Sequence, residues 1–152
     1  MEPVQIALVV GGLLVLSTLL GFAWQNKQGA VSRQAKASLP PDVPAELIDQ
    51  GAVITLLQFS GPYCSYCQAM RVVLGNEAAS SEGNVAHREI DITDYPELTA
   101  SLKVAQTPTT FIVTGSGHIM SRIHGAAKPP VVAHEVQQAL TQRKAQADEY
   151  LI

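Results

Sequence analysis

Val53-Ile-Thr-Leu-Leu-Gln-Phe59, followed by Ser60-Gly-Pro-Tyr63 and then Cys64-Ser-Tyr-Cys67, is the stretch that decides the fold. The first seven residues are almost continuously apolar, with the length of a strand buried on both faces. Ser60, Gly61 and Pro62 break the run. Beyond them the period changes. Cys67, Met70, Arg71 and Leu74 fall on neighbouring turns, which predicts a helix over 64–74 that Gly75 stops. A buried strand that delivers two cysteines to a helix start has a chemical purpose. Free N–H groups and the positive end of the helix dipole favour thiolate over thiol at Cys64. Cys67, one turn on, is within reach of a sulfur held by Cys64. One cysteine forms a mixed disulfide that it cannot easily leave, whereas two supply a nucleophile and a resolver.

C-x-x-C is also half of many zinc sites, but zinc needs two further ligands. His118 and His124 have a finger-like gap, yet they lie some fifty residues beyond Cys67 and flank an expected strand. No metal is therefore expected. A purely structural disulfide at this spacing would close a loop of two residues and constrain little of the unfolded chain.

Working outward, Pro44 to Gly51 reads as a short helix with Pro at its start and Gly at its end. Val85 to Ile92 alternates as a strand, with His87 and Glu89 facing away from Arg88 and Ile90. Asp94 is the expected N-cap of a helix from Tyr95-Pro96 to about Leu102. Thr109 to Thr114 is rich in β-branched residues. Gly115-Ser-Gly117 turns it into a hairpin with His118 to Ile123. Pro129-Pro130 opens a last helix with Val132, Val136 and Leu140 on one stripe. The order α-β-α-β-α-β-β-α predicts an α/β domain, a central mixed sheet flanked by helices on both faces.

The chain has 152 residues, room for one domain and an appendage. A net charge of −3, with Lys and Arg scattered, excludes a surface that neutralises many phosphates together. The appendage is N-terminal. Val4 to Trp24 contains no charge, and 21 residues is the length that crosses a hydrocarbon core. All its faces are apolar, which argues against a core helix in so small a protein. Ala35-Lys36-Ala37 resembles a signal-peptide cleavage site, but it lies well past the apolar run, and Met1–Pro3 carry no Lys or Arg. The expected organisation is an N-terminal transmembrane anchor over 1–25, with Trp24 at the headgroups, and a linker over 26–43. The prolines Pro40, Pro41 and Pro44 would hold the domain off the bilayer. The domain itself spans 44–143, with a C-terminal tail over 144–152.

The segment Phe59-Ser-Gly-Pro-Tyr-Cys-Ser-Tyr-Cys67, with Gln106-Thr-Pro-Thr109 about forty residues later, resembles the thioredoxin superfamily and in particular its membrane-anchored bacterial members. The resemblance covers roughly Ala45 to Leu140 and implies a thioredoxin-like fold. It also implies a cis Thr107–Pro108 bond beside the cysteines and a substrate groove shaped by Tyr63, Thr107 and Pro108. The chain departs from thioredoxin in having Tyr63 before the first cysteine and Ser65-Tyr66 between the two. Gln58 stands where thioredoxin has a buried acid that moves a proton at the resolving cysteine. An amide cannot serve as that base. His87 falls where thioredoxin places a lysine near the acid, and is the candidate substitute acceptor for proton transfer.

The expected function is thiol–disulfide exchange with protein substrates, Cys64 attacking and Cys67 resolving, with no cofactor and with an unidentified redox partner. The rival reading is a non-catalytic membrane adaptor, but such adaptors typically lose a cysteine and this chain keeps both. Lys27, Arg33 and Lys36 follow the span and only Glu2 precedes it, so the positive-inside rule favours a cytoplasmic domain. The resemblance, by contrast, brings many members that act on the outer face. The direction of exchange, reductase or oxidase, stays open.

Overall fold

The computed structural model describes residues 2–25, 28–33, 37–41 and 43–149. Asn26, Lys27, Ala35, Lys36, the last three residues and the side chain of Trp24 lie outside the described residues, and so do the expectations placed on them. Helix α1 (Pro3–Gln25) is followed by two short strands, β1 (Ala30–Ser32) and β2 (Ala37–Ser38). Then come β3 (Ile54–Ser60), α2 (Cys67–Ser80), β4 (Val85–Asp91) and α3 (Pro96–Ser101). Strands β5 (Thr109–Thr114) and β6 (His118–His124) and helix α4 (Pro129–Glu149) complete the chain.

The strands lie in the order β1-β6-β5-β3-β4, with β2 also paired to β6. Strand β3 runs parallel to β4, across the α2 crossover, and antiparallel to β5. Strands β5 and β6 form the expected hairpin. This is the mixed sheet predicted from the order of elements. All seven residues of β3 are buried, because it has a strand on each side and helices over each face. On one face Ile54 and Leu56 pack with Met70 and Leu74 of α2 and with Val132 and Val136 of α4. On the other, Leu57 and Phe59 pack with Phe111, Leu47 and the α3 residue Leu98. Arg122, on β6, donates to the carbonyls of Leu102 (2.6 Å) and Lys103 (3.0 Å) and so satisfies carbonyls at the end of α3.

Several boundaries differ from those expected. Residues 30–32 and 37–38, placed in the linker, are strands that cover the outer edge of β6 and use its otherwise unpaired N–H and C=O groups. Pro44–Gly51 yields only a 3₁₀ turn at Ala45–Leu47, because Leu47 turns into the core and Asp49 accepts from the Gly51 N–H to bend the chain. Helix α3 is capped at Tyr95 rather than Asp94, since Pro96 takes the first helical position, where its missing N–H costs nothing. The expected tail from Lys144 continues α4 to Glu149, in a run of Ala, Gln, Lys and Arg that favours helix without packing.

Residues Pro3–Ala23 of α1, with a mean hydropathy of 2.4 and no residue of that span covered by the rest of the chain, are long and apolar enough to cross a membrane. A signal sequence meets the same description.

Helix α2 also corrects an expectation. It runs through Gly75 to Ser80, so Gly75 does not stop it. A Cβ there would meet nothing within 4 Å. Gly75→Ala should therefore stabilise the protein by about 0.5–1 kcal/mol, raising the urea midpoint with the slope unchanged. A lower midpoint would show that the position needs glycine.

Candidate active site

Where β3 ends, the chain turns before it becomes helical. The Cys64 N–H donates to the Gly61 carbonyl (3.2 Å) and the Cys67 N–H to the Cys64 carbonyl (3.4 Å), and α2 begins at Cys67. Cys64 thus sits in the turn ahead of the helix rather than within it, where the N–H groups of the first turn face back along the chain. The two residues are joined as a disulfide with Cα atoms 5.5 Å apart. Cys64 is half-buried and Cys67 is only 4 % exposed. Tyr63 and Tyr66, flanking Cys64, are 98 % and 63 % exposed.

The Thr107–Pro108 loop lies against this turn. Its peptide bond is cis. The two loops are close neighbours: a Cβ added at Gly61 would come within 3.5 Å of Thr107 Oγ1. Thr107 is half-buried and Pro108 buried.

Behind Cys67 runs a polar chain. Gln58 is fully buried. Its amide nitrogen donates to the Cys67 carbonyl (3.0 Å) and to Ser60 Oγ (3.1 Å). Because that carbonyl can only accept, the amide orientation is fixed, and Gln58 Oε1 is left to accept from His87 Nε2 at 3.0 Å. His87 therefore carries a proton on Nε2 and touches the cysteines only through Gln58. Ser60 donates onward to Glu89 Oε1 at 2.5 Å, and Arg71 of α2 grips the same carboxylate through Nε and Nη2. Ser60, Arg71, Glu89 and Asp91 line one cleft with Cys64 and Cys67.

Sequence reasoning missed Ser60, Arg71 and Glu89 as site residues. Two signals pointed to them. Gln58 and Ser60 share a face of β3, as His87 and Glu89 share a face of β4, and the parallel register sets Gln58 beside Glu89. Polar residues repeating at a spacing of two in buried strands mark a polar stripe.

The charges follow this geometry. The Arg71 hydrogen bonds hold the Glu89 carboxyl below the usual carboxylate range, against the opposing effect of burial. Burial pushes the His87 imidazole below its ordinary value, with Glu89 pulling the other way and Arg71 and Arg88 adding to the drop.

These features define a class: a thioredoxin-type α/β domain with a vicinal cysteine pair at the start of its second helix and a cis-proline loop beside it. The Thioredoxin family model matches residues 44–138, more than half of the chain. The protein belongs to the thioredoxin family. Among solved structures it is similar in fold to thioredoxin-2, described as a component of the malaria parasite protein secretion machinery. That match has a TM-score of 0.55 at 11 % identity, covering 70 % of this chain and 99 % of the other.

The depressed His87 value fixes a pH dependence. Below about pH 6.5 the unfolded chain takes up a proton that the folded site resists, so stability falls until the folded value is passed and then levels. Burial and Arg122 depress His124 in the same way, so it contributes in the same window. Glu89, depressed by pairing, contributes stability above about pH 4.5 that is lost only at lower pH. His87→Gln should flatten part of the decline in unfolding free energy that sets in below about pH 6.5 and leave the carboxylate decline below about pH 4.5 intact. Urea unfolding at stepped pH checks this. An unchanged slope would show that His87 titrates as it does in the unfolded chain.

Proposed function

We propose that this protein is a membrane-anchored thiol–disulfide oxidoreductase acting on protein substrates. The observation that carries the reading is the Cys64–Cys67 disulfide in a turn at the domain surface, with one sulfur-bearing residue partly open and the other at 4 % exposure. In the reducing direction the Cys64 thiolate attacks one sulfur of a substrate disulfide. That S–S bond breaks, and a mixed disulfide forms as the first substrate thiolate leaves and takes a proton. Cys67 then loses its proton and attacks Cys64. The second substrate thiolate departs, and the domain keeps the disulfide, having given up two electrons. Oxidation is the same sequence reversed.

Tyr63, Thr107 and Pro108 form the substrate groove in this reading, with the Thr107 backbone pairing with an extended substrate segment. Among the described residues, no buried acid is hydrogen-bonded to Cys67 to receive its proton. Gln58 holds the Cys67 backbone in place, and proton acceptance falls to cleft water, with His87 assisting only through Gln58. Helix α1 is a retained anchor. The positive charges that follow it favour the cytoplasmic side and, with it, substrate reduction. Labelling of Cys64 by an impermeant maleimide in intact cells would contradict that side.

Cys67→Ser should accumulate mixed disulfides through Cys64, because attack proceeds and resolution does not. Non-reducing electrophoresis of membranes, then reduction, should release substrate proteins from this variant and none from Cys64→Ser. Equal capture by both variants, or by neither, would contradict the assigned roles.

A further inference from the structure

The end of the apolar helix is stitched to the active-site loop by three backbone hydrogen bonds. The Gln28 N–H donates to the carbonyl of Gln25, the last residue of α1, at 3.2 Å. The Gly29 N–H donates to the His124 carbonyl at 2.7 Å, and the Gly125 N–H to the Pro108 carbonyl at 2.8 Å. Each step is one residue from the next, so helix end and proline loop are separated by a path of no more than about 15 Å.

The stitch is reinforced. Strand β1 pairs with β6 from Ala30↔His124 onward. Ser32 Oγ meets His124 Nε2 at 3.1 Å. Arg33 reaches across to the buried Glu135 of α4 at 2.7 Å. The segment expected as a linker instead pairs along the edge of β6. A hollow at this junction is lined by Gly21 and Gln25 of α1, by Lys128 and Val131, and by Tyr66, which lies between the two cysteines. The exposed rings of Tyr63 and Tyr66 are amphipathic groups of the kind that settle at headgroup depth. Lys128 adds a cation suited to anionic lipid.

We infer that the substrates are disulfides of membrane-embedded proteins lying at or just outside the headgroup layer, because the anchor holds the Cys64 face against the bilayer. This inference rests on the oxidoreductase reading and on retention of α1. Proteins whose disulfides lie far from the membrane are disfavoured by reach, since the domain cannot rise to them without breaking the β1–β6 pairing.

The test uses the full chain in proteoliposomes, reduced beforehand and freed of reductant so that its own two thiols supply the electrons in a single turnover, with protein-free vesicles as the blank. A single-span peptide carries a disulfide immediately outside its apolar segment. A second peptide carries the same disulfide on a proline-rich spacer about 40 Å further out. Ellman's reagent is the soluble probe. The near disulfide should be reduced about tenfold faster than the far one, as its effective concentration at the site dictates. A long Gly/Ser insertion between Asn26 and Lys27 should bring the two rates to within about twofold and leave the rate on Ellman's reagent unchanged. Equal rates on near and far disulfides in the native chain would overturn the inference. So would recovery from cells of a mature chain lacking α1, which leaves the oxidoreductase reading intact. Failure to turn over any of the three probes would sink that reading itself, and this inference with it.

Discussion

The site depends on a strand with no solvent on either face. Because β3 has a strand on each side and helices above and below, its side chains must be apolar or fully bonded. Thr55, Gln58 and Ser60 are the polar exceptions, and they meet the second condition; the Thr55 hydroxyl accepts from the Asp49 N–H at 3.0 Å. Gln58 uses both amide hydrogens and its oxygen; an unmatched amide at that depth would cost about 1–3 kcal/mol. One of those bonds reaches the Cys67 carbonyl. The end of the strand, the start of α2 and the resolving cysteine are therefore positioned by a single buried side chain. The turn that carries Cys64 then has little freedom, since both of its ends are fixed.

Most of this was legible in the sequence where the signal was an apolar period. The β3 run, the α2 stripe of Met70 and Leu74, the Thr109–Thr114 strand with its hairpin partner, and the Val132–Val136 face of α4 all appear in the structure. The reading fell short where tertiary pairing overrode local preference. Nothing periodic marks Ala30–Ser32 or Ala37–Ser38 as strands; they become strands because β6 presents an edge to cover. Gly75 looked like a stop and is an ordinary helical residue, since nothing there requires a left-handed backbone. The C-terminal extension of α4 was passed over because it buries nothing, although its composition favours helix.

The site was half visible. The cysteines announce themselves by spacing, and Thr107–Pro108 by resemblance. The Ser60–Glu89–Arg71 cluster comes from three separate elements, and only the parallel β3–β4 register brings its members together. The cluster sets an ion pair at the mouth of the cleft beside the cysteines. The same dependence on pairing explains the junction with α1. Covering the edge of β6 brings the end of α1 next to the proline loop, and under the proposal that α1 is retained as an anchor this pairing also sets the reach of the cysteines.

The central claim is that the Cys64–Cys67 pair passes two electrons to a protein disulfide, and a single-turnover count tests it most directly. The full-length protein is reduced, freed of reductant and mixed with excess insulin, and thiols on each component are then counted by mass after alkylation. The account predicts that each chain loses both thiols together while insulin gains two, and that Cys64→Ser transfers none. A chain that keeps its two thiols in the presence of insulin, or that loses only one of them, would contradict it.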